Sequence, residues 1–314
     1  MIYRIVLSLC CLTCLLLGTG KSKAQESEDV PMERGDAART GEMPGPGLDP
    51  IDGFDKRWRF IADGPVRSSP AVVGDRIYVC SEAGSVYSLD LATGNQIWHV
   101  ITGGLVLSPA VVNEVVYVGS ADHNLYALDA ADGSELWHFS TGGQVYSPAV
   151  IDGLVYASSG DFHLYAVDGS TGSERWRFTT GHSILTPAVV NGVVYVSSGD
   201  SNMYALDAAT GAEIWRFETG GESASTQAVA DGVVYVSDAG SNLYAVDAAS
   251  GLEKWTLNTE GDHTVVQAVV DGLVFASHAE SSLSAIDAES GIEQWRFFMM
   301  DGHITSAVVA DGLV

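Results

Sequence analysis

All seven tryptophans of the chain fall on one comb: Trp58, Trp98, Trp137, Trp176, Trp215, Trp255 and Trp295. Their intervals are 40, 39, 39, 39, 40 and 40 residues. A side chain this large, returning at a fixed interval near forty, restricts the chain to stacked or ring-arranged copies of one unit. The unit itself reads as four short strands. In residues 185–219, LTPAVV is the first strand and Asn191-Gly192 a two-residue hairpin turn that tolerates positive φ. VVYVSS is the second strand, MYALDA the third, and EIWRFET, after the turn ATG, the fourth. Four antiparallel strands per unit, with no helix between units, describe the blade of a β-propeller.

Complete units run over 66–101, 105–141, 144–180, 184–219, 224–259 and 264–298. A lone strand, RWRFI (57–61), precedes the first, and ITSAVVADGLV (304–314) begins a seventh. The expectation is therefore an all-β propeller of at least seven blades, six complete here plus partial closing strands, with 57–61 completing the last blade. Pro70, Pro109, Pro148 and Pro187 are assigned to the first strands. Proline cannot donate to a ladder, so that strand is an edge, here the innermost one facing the central channel.

The best-repeated spacing is Ala-x-Asp-x-x-x-Gly-x-x-x-Trp, as in YALDAATGAEIWRF (204–217). It starts at Ala127, Ala166, Ala205, Ala245 and Ala285, and once with Ser88 in place of alanine. Aspartate at a strand end can accept from turn amides, and glycine four residues on can take the left-handed conformation that closes the turn. The tryptophan then lies on the outer strand, where its ring can pack against the neighbouring blade. Burying about 200 Å² per ring at about 25 cal/mol/Å² is worth roughly 5 kcal/mol gross. We read these tryptophans as structural joints.

Residues 1–24 have the pattern of a secretory signal: Arg4, the apolar run 5–18, then Ser22-Lys23-Ala24 at cleavage spacing. The run is too short to span a bilayer. Leu9 and Thr13 precede Cys10 and Cys14, so no lipid anchor is expected. Residues 25–55 read as a flexible polar linker and 56–314 as the propeller. Secreted or periplasmic localisation follows, for a monomer that does not span the membrane. Removing the signal takes Arg4, Lys21 and Lys23 but no acid, so the net charge of −25 becomes −28. Such a surface repels nucleic acid. Of the four cysteines only Cys80 is left, which rules out an internal disulfide.

The repeated motif resembles the tryptophan-docking motif of pyrroloquinoline-quinone (PQQ) repeat propellers, and PMERGDAARTGEMPGPG (31–47) resembles the leader of secreted members. That resemblance covers 31–314 and implies one of two classes. One is a non-catalytic scaffold like BamB, a subunit of the outer-membrane β-barrel assembly machinery, binding a protein or peptide partner of the cell envelope. The alternative is a PQQ- and Ca2+-dependent alcohol or sugar oxidoreductase. Quinoprotein dehydrogenases often carry a vicinal disulfide, a calcium site and a catalytic aspartate. Here only Cys80 is left, and most aspartates recur as turn residues. The expectation is a scaffold with no catalytic residues, no metal and no cofactor.

Turns between strands one and two, and three and four, are nearly uniform and share one face. Loops between strands two and three, and between blades, share the other face and vary, so recognition is expected there. His123, His163, His182, His263, His278 and His303 fall in or beside those loops, with Asp122, Asp161 and Asp262 as companion acids. Asp200, Asp238, Glu280 and Asp301 join them, while His99 and His138 lie in outer strands. A His/carboxylate rim for a divalent metal or a cationic partner is one reading, and ordinary loop polarity the other. On the channel side, Gln227 and Gln267 replace the proline, bringing amides that could dock a ligand or simply repack locally.

Overall fold

The computed structural model describes residues 58–222, 227–259, 264–278 and 282–298. These contain six four-stranded antiparallel sheets in sequential order. Blade 1 comprises β1 (Ala71–Val73), β2 (Arg76–Cys80), β3 (Ser85–Asp90) and β4 (Gln96–Ile101). Strands β5–β8 (110–140), β9–β12 (149–179) and β17–β20 (228–258) form blades 2, 3 and 5. Blade 4 is β13 (Ala188–Val190), β14 (Val193–Ser198), β15 (Asn202–Asp207) and β16 (Glu213–Glu218). Blade 6 is β21 (Thr264–Val270), β22 (Leu273–His278), β23 (Ser282–Asp287) and β24 (Glu293–Phe298). First strands of successive blades lie side by side, β1 by β5 and so on to β17 by β21, so they are the inner ones. The chain is a β-propeller.

Each ladder begins at the residue after the proline, Ala71, Ala110, Ala149 and Ala188, rather than on the proline itself. The missing N–H explains the difference. Hairpin turns hold Asn191, Asp231 and Asp271 at φ near +50°, each followed by a glycine at φ 74–77°. This is the doubly left-handed turn that matches the twist of paired strands. In every blade the outer pair carries one bulge at the same place: Ala205 faces Trp215 but Leu206 faces Glu213, leaving Ile214 extra. A bulge there twists the exposed edge away from pairing with another chain.

The sequence motif resolves into a joint between blades. Its alanine lies across the ladder from its own tryptophan, as Ala205 does from Trp215. Its glycine meets the tryptophan of the preceding blade: a Cβ on Gly211 would sit 2.6 Å from the Trp176 ring. The same approach couples Trp58 to Gly94, Trp98 to Gly133, Trp137 to Gly172, Trp215 to Gly251 and Trp255 to Gly291. The indole also donates across the joint, Trp176 Nε1 to the Ala208 carbonyl at 3.0 Å. A tyrosine from the second strand shares that acceptor, Tyr156 Oη at 3.0 Å. Trp58 repeats the arrangement on blade 1, donating to Leu91 at 3.0 Å. Trp295 ends the described comb with 42% of its surface exposed.

Gln227 is fully buried, its amide donating to the Thr186 carbonyl at 3.0 Å and the Tyr195 carbonyl at 2.7 Å. Ser197 Oγ donates back to its side-chain oxygen at 3.1 Å. The amide is thus an internal bracket from blade 5 to blade 4. Gln267 lies at a bulge in β21 and donates to Ser277 Oγ at 2.7 Å, inside its own blade. Changing Gln227 to leucine should cost about 2 kcal/mol, because the buried Tyr195 carbonyl, the partly buried Thr186 carbonyl and the Ser197 hydroxyl lose partners. Urea unfolding checks this; a wild-type midpoint would contradict the bracket.

Candidate binding face

The face carrying the loops between strands two and three is held by one carboxylate per blade in blades 1 to 5. Asp122 Oδ2 accepts from the Gly103 amide at 2.7 Å and from Tyr126 Oη at 2.8 Å. Asp161 does the same with Gly142 and Tyr165, at 2.7 and 2.8 Å. Asp200 follows with Gly181 and Tyr204, at 2.8 and 2.9 Å. The second oxygen of each accepts the amide two residues on. Each carboxylate therefore latches the interblade loop to its own loop and third strand.

The other two blades reach the same end from different positions. In blade 5 the acid moves two residues back, to Asp238, which accepts from Tyr244 Oη at 2.7 Å. The Gly220 amide then bonds the Tyr244 oxygen at 2.9 Å. In blade 1 the carboxylate comes from the other side of the latch: Asp63 accepts from Ser81 and Ser85 hydroxyls at 2.7 and 2.5 Å.

Burial alone would raise the carboxyls of Asp122, Asp161, Asp200 and Asp238, but the donors around them outweigh it and hold all four below the ordinary value. Burial, then the adjacent carboxylate, pushes Tyr126 and Tyr204 up to about 12.

The histidines go to different places. His123 is exposed at φ 75° in the loop of blade 2. His163 begins β11 (His163–Asp168) with its ring edge-on to Tyr165, centroids 5.6 Å apart, and its Nδ1 is buried without a hydrogen bond. His182 is exposed in the next interblade loop and stacks on Phe162 at 5.5 Å and 14°. His278 is buried within blade 6. His263, His303 and Asp262 lie outside the described residues. Among the described residues no three His, Cys, Asp or Glu side chains are grouped to hold a metal ion.

Reading residue types along the chain overlooked Phe162. It is 40% exposed and adopts φ 69°, a left-handed conformation that is unfavourable for a bulky side chain. Its loop position is taken by His123, Ser201 and Ser241 in neighbouring blades, also left-handed. Aligning the repeats on that position would have exposed it. The latch tyrosines were also missed, since tyrosine in a strand looks like core.

Cys80 is fully buried at the end of β2, where burial pushes its thiol far up. No helix among the described residues is long and apolar enough to cross a membrane.

No curated protein matches the chain significantly. Among solved structures, BamB from Moraxella catarrhalis superposes with a TM-score of 0.65 at 18% identity, covering 73% of this chain and 72% of that one. The computationally designed Ika8 protein gives 0.70 at 16%, covering 77% and 76%. The family model described as outer membrane protein assembly factor BamB matches residues 52–105, 83–188 and 180–311. With that match over most of its length, the chain belongs to the BamB-type family of PQQ-like repeat propellers.

Proposed function

We propose that this protein is a non-catalytic propeller scaffold whose loop face receives a protein or peptide partner, in assembly work at the cell envelope. The observation that carries the reading is Phe162. A left-handed aromatic costs about 1 kcal/mol, and here that cost goes to a ring left 40% exposed on a rigid frame. Half-exposed aromatics of this kind anchor partners at interfaces. The family's name supplies the envelope setting, and the strong negative charge favours a basic or neutral partner over nucleic acid or anionic lipid.

Three features weigh for the scaffold over the quinone alternative. Cys80 is buried, the latch aspartates are saturated by N–H and O–H donors, and the Gln227 amide is spent between blades.

The test is capture from envelope extract by the full protein and by Phe162→Ser. We expect the variant to keep its melting temperature within about 2 °C, since serine occupies this position in two other blades. Partner recovery should fall about tenfold or more. Equal recovery by both proteins would remove the reading.

A further inference from the structure

Blade 6 replaces the carboxylate latch with something chemically different. His278 ends β22 where blades 1 to 4 have Ser81, Ser120, Ser159 and Ser198. Ser284 in β23 stands where the other five carry tyrosine. The ring has moved from the third strand to the second, and it is 4% exposed.

A continuous hydrogen-bonded chain runs through it. Thr259 Oγ1 donates to the Ser241 carbonyl at 2.8 Å and lies 2.5 Å from Thr264 Oγ1. Thr264 Oγ1 is 3.1 Å from His278 Nδ1, and His278 Nε2 is 3.0 Å from Ser284 Oγ. Ser284 Oγ then reaches Glu293 Oε2 at 2.9 Å. Both ends of the chain, a carbonyl and a carboxylate, can only accept. Each of the five contacts therefore needs one proton. Three hydroxyls supply three, and a neutral imidazole supplies one. The network is one proton short.

We propose that blade 6 contains a proton-binding site: the chain from Thr259 to Glu293 takes up one proton, shared between His278 and Glu293, and closes all its contacts only when that proton is bound. With the proton on the ring, both imidazole nitrogens donate. With it on Glu293, the carboxyl donates to Ser284, Ser284 to Nε2, and Nδ1–H to Thr264. The proton belongs to the pair. In its absence one contact opens, so this joint tightens on proton uptake, whereas the carboxylate latches of the other described blades lose their charge in acid. The latch carboxylates of blades 2 to 4 receive only N–H and O–H donors and need no such proton.

Among the described residues, the charged groups acting on His278 are Arg296 and Glu293, both on β24. Burial pushes His278 down to about 4, Arg296 acts the same way, and Glu293 opposes them. Arg296 is itself engaged, bonding Glu293 Oε2 at 2.6 Å and the Thr259 carbonyl at 3.3 Å. Burial sets how acidic the uptake is, and the contact count decides that the proton enters an ordered network.

Ser284→Ala separates the network from simple burial. It removes two contacts and one proton, so a neutral ring then satisfies all that is left, while Arg296 and Glu293 keep their charges. Following the His278 ring nitrogens by NMR in the full chain, assigned by their loss in His278→Asn, should show a pKa about one unit lower in Ser284→Ala, a tenfold weaker proton. An unchanged or higher pKa overturns the proposal. Should that variant fail to fold, the unaltered protein decides. Before acid unfolding either both ring nitrogens should become N–H or the Glu293 carboxyl, followed by carbon NMR, should take up the proton, and a ring with one bare nitrogen beside an ionised Glu293 up to that transition overturns it.

Discussion

Replacing Trp176 by alanine will destabilise the propeller by about 4 kcal/mol, the range for a large aromatic removed from a packed interior. The ring is 9% exposed and closes the joint between blades 3 and 4. The Ala208 carbonyl keeps a donor, because Tyr156 Oη reaches it at 3.0 Å. The loss is therefore mainly packing, and it should lower the melting temperature by roughly 10 °C.

A second substitution identifies the contact. Gly211→Ala meets two obstacles: φ is 72°, and the new Cβ would lie 2.6 Å from the Trp176 ring. In the Trp176→Ala background the steric obstacle disappears and only the backbone cost of about 1 kcal/mol is left. Gly211→Ala should thus cost less in that background than in the wild type. Additive costs in a double-mutant cycle by denaturant unfolding would disprove the ring-on-glycine joint.

The second large effect is acid sensitivity through the latches. Asp122, Asp161, Asp200 and Asp238 are each held below the ordinary carboxylate value in the fold. A depressed folded pKa means that the unfolded chain binds the proton first. The stabilisation is complete above the unfolded value of about 4 and is lost as pH falls through the folded value. Removing one latch by Asp200→Ala should cost about 2 kcal/mol at pH 7, leaving Tyr204 Oη and the Gly181 amide without their acceptor. The difference from wild type should shrink below pH 4. Melting temperatures measured from pH 3 to 7 check this, and a constant gap would show that the carboxylate charge contributes nothing.

Comparing the repeats with one another exposed most of the architecture. Strand VVYVSS coincides with β14 (Val193–Ser198), and the Asp-Gly and Asn-Gly turns adopt the left-handed pair their residues favour. The site was less legible. Asp122 and Asp161 read as companion acids of a histidine rim or as ordinary polar loop residues, whereas their oxygens accept from Gly103, Tyr126, Gly142 and Tyr165. Blades 1 and 5 hid the same latch by supplying its acid from Asp63 and Asp238, so no fixed spacing marked it.

By itself, then, the sequence determined the period, the four-strand unit, the turn chemistry and hence the propeller. Those features depend on neighbours within a hairpin or on one contact repeated between adjacent units. Only the tertiary structure decided which polar groups are spent and which are not. The Gly103 amide lies 19 residues from the carboxylate it bonds, and Tyr156 reaches a carbonyl 52 residues away. The pairing of donors and acceptors across loops and blades depends on how the sheets are set side by side, which residue types along a strand do not encode. For that reason the His278 chain and the carboxylate latches emerged only once the blades stood next to one another.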